Sequence, residues 1–350
     1  MDKIIIFKTD RLGDLLNFSP CLKIIKDNKK DYHTTLICSD YNFQIAKNYP
    51  YIDEFLIFDK KNFLKNIIKY FRKLFLTKYK YLFQFDGKGS SYIISYFINS
   101  KIKSTICFIK HKKIFGINYL SFRPAKYLLN IFYKNFIYTD ESYSKNKKDK
   151  TPIHYQTNYF KILEKLNFKI TDKRNLFFLD KFYEQHYNMF YKKFINSNFC
   201  LFHFDEKWDR LKISDYKNSL KIIEHRSKKS KVIITTGIKN FTFLKDLKNK
   251  FSTFYFLKNE LVSNDKSNKN NVILLEKIPL NILAYFIKNS EINFSFHSGP
   301  VVHISPTFDR QIIDLIPQSK NEELDRWIPT ISKYRRINFE DLNDNLIENI

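Results

Sequence analysis

A chain of 350 residues with 43% hydrophobic and 17% aromatic side chains is too apolar to be disordered or fibrous, and long enough for two domains that each bury a core. Lysines interrupt every apolar run before it reaches the roughly 18 uncharged residues that a membrane span needs. The net charge of +25 draws the protein toward anionic membranes, phosphorylated lipids or nucleotides, although the abundance of Lys, Asn, Ile, Phe and Tyr beside only six glycines is also what AT-rich coding produces.

Met1-Asp2-Lys3 ahead of Ile4 to Phe7 is too short and wrongly flanked for a signal peptide and leads into a first buried strand, so a cytoplasmic protein is expected. Leu15 to Ile25 has helical periodicity, and His33 to Cys38, Phe55 to Phe58, Tyr81 to Phe85 and Thr105 to Phe108 are short strand-like runs. From about Leu120 the pattern becomes aromatic and irregular and ends in a polar connector, Ser142 to Lys150. A helix at His154 to Leu166 follows. The alternation then restarts with Phe199 to Phe204, Val232 to Thr236, Phe254 to Phe256, Val272 to Leu275, Ile292 to Phe296 and Gln311 to Ile316. Strands alternating with helices imply parallel sheets with crossover helices, hence an α/β chain of two domains, 1–180 and 181–335, with a terminal segment 336–350. Cys21, Cys38, Cys107 and Cys200 lie scattered in apolar surroundings without CxxC spacing, which favours reduced core thiols over disulfides or zinc.

With so few glycines, each one asks for a reason such as positive φ or a close backbone approach. Gly13, Gly87, Gly237 and Gly299 each follow a predicted strand, where open α/β sheets bind ligands. The alternative is that they are simply tight strand-to-helix turns. Neither GxGxxG nor GxxxxGK[ST] occurs, which excludes the dinucleotide fingerprint and the P-loop.

The opening Ile5-Ile6-Phe7-Lys8-x-x-x-x-Gly13-Asp14-x-x-x-x-x-Pro20 resembles the start of the heptosyltransferase family, glycosyltransferase family 9. Asp86-Gly87-x-Gly89-Ser90, His154-x-x-x-x-Tyr159, Asp205-Glu206-Lys207-Trp208, Thr235-Thr236-Gly237 and His297-Ser298-Gly299-Pro300 are similar to later family motifs and come in the family's order across nearly the whole chain. Three departures stand out. His297 replaces an aspartate, His303 falls one place later than the family histidine, and Lys207 abuts Trp208, with Asp209 where a proline is expected.

The resemblance implies a GT-B-like fold, two facing Rossmann-like domains with an active site in the cleft, acceptor on the first and nucleotide sugar on the second. The terminal helix would pack back toward the first domain. The implied activity is inverting transfer of a heptose or related sugar from a nucleotide-diphosphate donor, ADP-linked, to a lipopolysaccharide core or similar glycolipid. Such transfer needs a base for the acceptor hydroxyl and positive charge for the departing diphosphate. Asp14 is the implied base, although an aspartate there also serves as an ordinary first-turn helix residue. Lys207, Thr236, Gly237, His297, Ser298, Gly299 and Pro300 are the implied donor contacts, with the amides of Ser298 and Gly299 holding phosphate as helix starts do. Lys8, Arg11, Gly13 and Asp86 are the implied acceptor contacts. No His, Asp or Cys cluster has metal-ligand spacing, so neither metal nor cofactor is expected.

Lys61 to Lys80 gathers Leu64, Ile67, Ile68, Phe71, Leu74 and Phe75 on one helical face, with lysines largely elsewhere. That pattern describes either a helix at an anionic bilayer surface or a surface helix packed on a sheet. Two rival functions remain: a transferase using a hexose donor, which His297 favours, and a basic nucleic-acid-binding protein. Against the latter, Lys and Arg are spread along the chain and no nucleic-acid-binding signature appears.

Overall fold

The computed structural model describes residues 1–59, 62–114, 117–140, 154–205, 216–237, 242–257, 260–263 and 271–350. They form two compact units, residues 1–178 with 325–330, and residues 179–324 with 331–350. The division between the units falls at 178/179.

In the first unit β1 (Lys3–Lys8), α1 (Leu12–Asn28), β2 (His33–Cys38), α2 (Asp40–Ala46), β3 (Glu54–Ile57), α3 (Phe63–Lys69), β4 (Tyr79–Gln84) and α4 (Gly89–Phe97) alternate as expected. A long β5 (Ser100–Ile114), β6 (Ile117–Arg123), α5 (Lys126–Phe132), β7 (Asn135–Asp140) and α6 (Gln156–Lys165) complete it. The sheet order is β3-β2-β1-β4-β5-β6 with β7 also on β5, and every pairing is parallel except β5 with β6. The stretch after Leu120, irregular by hydropathy, thus holds two strands and a helix. The Lys61 to Lys80 segment is not one helix: α3 ends at Lys69 and a π-helical turn spans Arg72–Leu76.

Pro20 sits inside α1 and cannot donate to the carbonyl of Leu16. The Ser19 hydroxyl takes that acceptor at 2.6 Å and itself receives the Leu176 amide at 2.7 Å, so the break costs no unpaired carbonyl.

The second unit contains α7 (Lys181–Phe190), β8 (Phe199–Phe204), α8 (Tyr216–Ser227), β9 (Lys231–Thr236), α9 (Leu244–Lys250), β10 (Ser252–Leu257) and β11 (Glu260–Ser263). It continues with β12 (Val272–Glu276), α10 (Leu280–Asn289), β13 (Ile292–Ser295), α11 (Gly299–Ile304), β14 (Gln311–Ile316), α12 (Asn321–Asp325), β15 (Lys333–Asn338) and α13 (Asp344–Glu348). Its order is β11-β10-β12-β9-β8-β13-β14-β15, parallel throughout except β10 with β11. β8 and β12 are buried at every residue, as strands covered on both faces must be.

The terminal segment departs from expectation. Phe339, Ile347 and Ile350 lie in the second unit's own core with Phe296 and Leu315, and Lys229 holds the Glu348 carbonyl at 3.0 Å. It is residues 325–330 that join the first unit: Arg326 accepts the Tyr155 amide at 2.7 Å, and Trp327 lies on the Tyr155 ring at 5.0 Å. Apolar side chains decide both placements. All four cysteines are free and buried.

Candidate functional site

In the first unit the carboxyl ends of adjacent strands β1 and β4 bring together the loops at 9–11 and 85–88. Lys8, the last residue of β1, is fully buried. Its ammonium donates to Asp10 Oδ2 at 2.8 Å, the Phe85 carbonyl at 3.1 Å and the Tyr159 hydroxyl at 2.9 Å, and it lies 5.1 Å from the Tyr159 ring centre. Burial pulls its pKa down, but the carboxylates of Asp10 and Asp14 more than offset that and leave it above the usual value.

Asp10, at one of the unspecified positions of the motif, is the second half of this pair. Residues two apart on an extended chain point the same way, which was the available signal. Its Oδ1 is buried without a partner among the described residues. Burial first, then Asp14 and Asp86, push the carboxyl up to about 7 against the pull of Lys8. One ammonium among three carboxylates leaves surplus negative charge, and keeping a proton on Asp10 relieves it.

Asp14 stands in the first turn of α1, half-buried. One oxygen accepts the Arg11 amide at 3.2 Å, so the plain helix-start role is real; the other has no partner among the described residues. Arg11 is exposed at the helix start and Gly13 is half-buried beside it.

Two acceptor expectations need correction. Asp86 is fully buried, and its oxygens accept from the Thr9 amide and hydroxyl, the Ser91 hydroxyl, Gln84 and the Lys88 amide, at 2.8 to 3.2 Å. It knots the two loops to α4 and offers nothing to a ligand. Lys8 is likewise spent, because its three N–H groups have three acceptors. Both are braces behind Asp14.

Beside these loops opens a cavity of about 570 Å³, lined by Phe7, Thr9, Phe58, Lys88, Gly89, Ile94 and Arg123 among others. The glycine expectation also changes here. A Cβ at Gly87 would make only ordinary contact with Phe108 at 3.7 Å, and one at Gly89 would meet nothing within 4 Å, so neither has a steric need within the protein. Gly89 instead leaves the start of α4 open to the cavity.

In the second unit Lys207 and Trp208 lie outside the described residues. Thr236, at the end of β9, accepts the Lys277 amide at 3.1 Å, and the Gly237 amide donates to Phe204 at 2.9 Å; both hold strand-end turns together. His297 adopts a left-handed φ of 54°, rare for a residue with a side chain. Asp314 in the adjacent β14 accounts for it: this fully buried carboxylate accepts the His297 amide and lies 2.8 Å from His297 Nδ1, and the Tyr334 hydroxyl donates to it at 2.6 Å. Burial raises the Asp314 carboxyl, but the His297 charge and the bonds from His297 and Tyr334 carry it below the usual range. The sequence reading missed Asp314 and Tyr334.

Next to His297, the Ser298 amide donates to Ser295 Oγ at 2.9 Å while the buried Ser298 hydroxyl has no partner among the described residues. It caps no amide, although it precedes Gly299 and Pro300 at the start of α11. An orphaned hydroxyl at a helix start is what an incoming anion would satisfy. Among the described residues no three His, Cys, Asp or Glu side chains gather in a metal-holding group, and no helix is long and apolar enough to cross a membrane.

Neither a family model nor a curated protein matches the sequence. Solved structures do. A glycosyl transferase family 9 protein from Veillonella parvula is 14% identical, with 99% of this chain and 90% of that one covered at a TM-score of 0.72. E. coli ADP-heptose LPS heptosyltransferase II is 10% identical over 99% and 97% of the chains at 0.68. E. coli heptosyltransferase WaaC with ADP is 12% identical over 99% and 98% at 0.64. The chain therefore has the fold of these glycosyltransferases, two Rossmann-like α/β halves with mainly parallel sheets.

Proposed function

We propose that the protein is an inverting glycosyltransferase that moves a heptose or related sugar from an ADP-linked donor onto a lipopolysaccharide core or similar glycolipid, acting in the cytoplasm. The observation that carries this reading is Asp14: a half-buried carboxylate with one uncommitted oxygen, beyond the central strand of a fold shared with heptosyltransferases. In the proposed step Asp14 takes the proton of the acceptor hydroxyl. The acceptor oxygen bonds to the anomeric carbon as the bond from that carbon to phosphate breaks, and its electron pair leaves with the nucleoside diphosphate. Lys207, the Gly299 amide and the uncommitted Ser298 hydroxyl receive the leaving charge. Arg11 and Gly13 border the acceptor side, and Lys8 and Asp86 hold Asp14's loop from behind.

Donor hydrolysis or transfer, followed as nucleotide release with acceptor extracts, tests the role of the base. Asp14→Asn is expected to lose turnover by about a hundredfold or more with nucleotide affinity intact, and near-normal turnover would end the assignment. Lys207→Ala is expected to raise the donor KM. A hexose donor is the second reading, favoured by the imidazole of His297 where an open carboxylate would otherwise meet the sugar. A panel of nucleotide sugars separates the two.

A further inference from the structure

α3, α4 and α5 pack as one layer on one face of the first sheet. Leu74, Tyr92, Ile94, Ile98, Leu129 and Tyr133 share a core with Ile5, Phe7, Ile37 and Leu82, and Ile67, Tyr70 and Phe75 close its edge. Ordinary packing on a sheet thus accounts for one side of the Lys61 to Lys80 segment. It does not account for the other. Leu64 and Ile68 are 72% and 76% exposed, with Phe71 one turn further at 49%. Ile93 and Phe97 on α4, and Tyr127 and Ile131 on α5, repeat the same i, i+4 spacing, also exposed. A soluble surface rarely sets apolar pairs on three neighbouring helices of one layer.

The charge around them has one sign. Residues 62–77, 89–97 and 126–132 contain Lys65, Lys69, Arg72, Lys73 and Lys126 and no Asp or Glu. Of these, Lys73 pairs with Glu54, whereas Lys65, Lys69 and Arg72 form no ion pair among the described residues. On α1, α2 and α6 the signs are mixed instead, with Asp14, Asp27, Asp40 and Glu164 beside Lys23, Lys26, Lys161 and Lys165. Apolar side chains set among unpaired cations fit an interface that is anionic outside and hydrocarbon within. A second copy of the chain would oppose like charges across the contact, and a nucleic acid would leave the apolar side chains uncovered.

We propose that the α3–α4–α5 layer is a docking surface for an anionic lipid bilayer, with Leu64, Ile68, Phe71 and Phe97 entering the headgroup boundary. The cavity shares this layer through Gly89 and Ile94, so a lipid-linked ligand would reach it from the docked side. The proposal does not rest on sugar transfer and is tested without substrate.

The test is co-sedimentation of the full chain with vesicles of phosphatidylglycerol and phosphatidylcholine, against phosphatidylcholine alone. Binding is expected on the anionic vesicles only. Lys65→Glu with Lys69→Glu is expected to weaken it by roughly fivefold per lysine, and the combined Leu64→Ser, Ile68→Ser and Phe71→Ser variant by more than about tenfold, with unchanged thermal midpoints. Because the natural cysteines are buried, an environment-sensitive dye at Phe97→Cys reports insertion by a blue shift. Wild-type protein left in the supernatant, a serine variant that sediments like wild type, an unmoved dye, or a wild-type dimer in sedimentation velocity that the serine variant abolishes would each overturn the proposal.

Discussion

The two candidate loops handle a buried charge in opposite ways. Behind the loop after β1, the Lys8 ammonium bonds one carboxylate, Asp10, and feels a second, Asp14, and Asp10 keeps a proton to well above the usual carboxylate range. Beyond β13, one carboxylate, Asp314, has an imidazole, an amide and a phenol for itself and stays ionised to lower pH than an ordinary aspartate. The first arrangement holds one carboxyl, Asp10, that exchanges its proton near neutrality, and the second fixes a geometry.

The largest effect expected from breaking this contrast comes from Lys8→Met, which leaves buried carboxylates with no cation. It should destabilise the protein by about 3–5 kcal/mol in urea unfolding, and a loss under about 1 kcal/mol would mean that the amine is not the hub of the knot. Asp314→Asn should cost about 2 kcal/mol through weakened bonds to His297 and Tyr334. Because the folded pKa of Asp314 is depressed, its contribution is present above the unfolded value near 4 and lost as pH falls below it. The variant should therefore show a smaller drop in Tm on acidification.

Asp10→Asn sharpens the comparison with a smaller effect of opposite sign. A raised folded pKa means that the fold binds the proton more tightly, so this group's contribution is full below about 4 and is lost as pH rises toward about 7. Calorimetry from about pH 5 to 8 should show Tm falling less in the variant than in wild type. Equal slopes would place the retained proton elsewhere in the cluster.

Much of the fold was legible because parallel strands covered on both faces are written as short runs of apolar and β-branched residues; β1, β2, β8, β9 and β12 are such runs. β15, Lys333–Asn338, was not. It is an edge strand whose exposure alternates and whose outward residues are charged, so hydropathy hides it. β6 and β7 were lost among aromatics that favour any buried element. At the site, the motif residues around Asp14 and Ser298 were visible as local spacing. The partners that set their electrostatics come from far along the chain: Tyr159 is 151 residues from Lys8, and Tyr334 is 20 from Asp314.

The sequence by itself determined the α/β class and the ends of most parallel strands, because burial periodicity and turn chemistry are local properties of the chain. Only the tertiary structure decided that Lys8 and Asp86 are braces, that Asp10 shares their charge, that Asp314 holds His297 in its left-handed turn, and that Leu64 and Ile68 face outward. Each of these depends on which distant groups compete for the same proton, lone pair or apolar surface, and that competition exists only once the strands lie side by side.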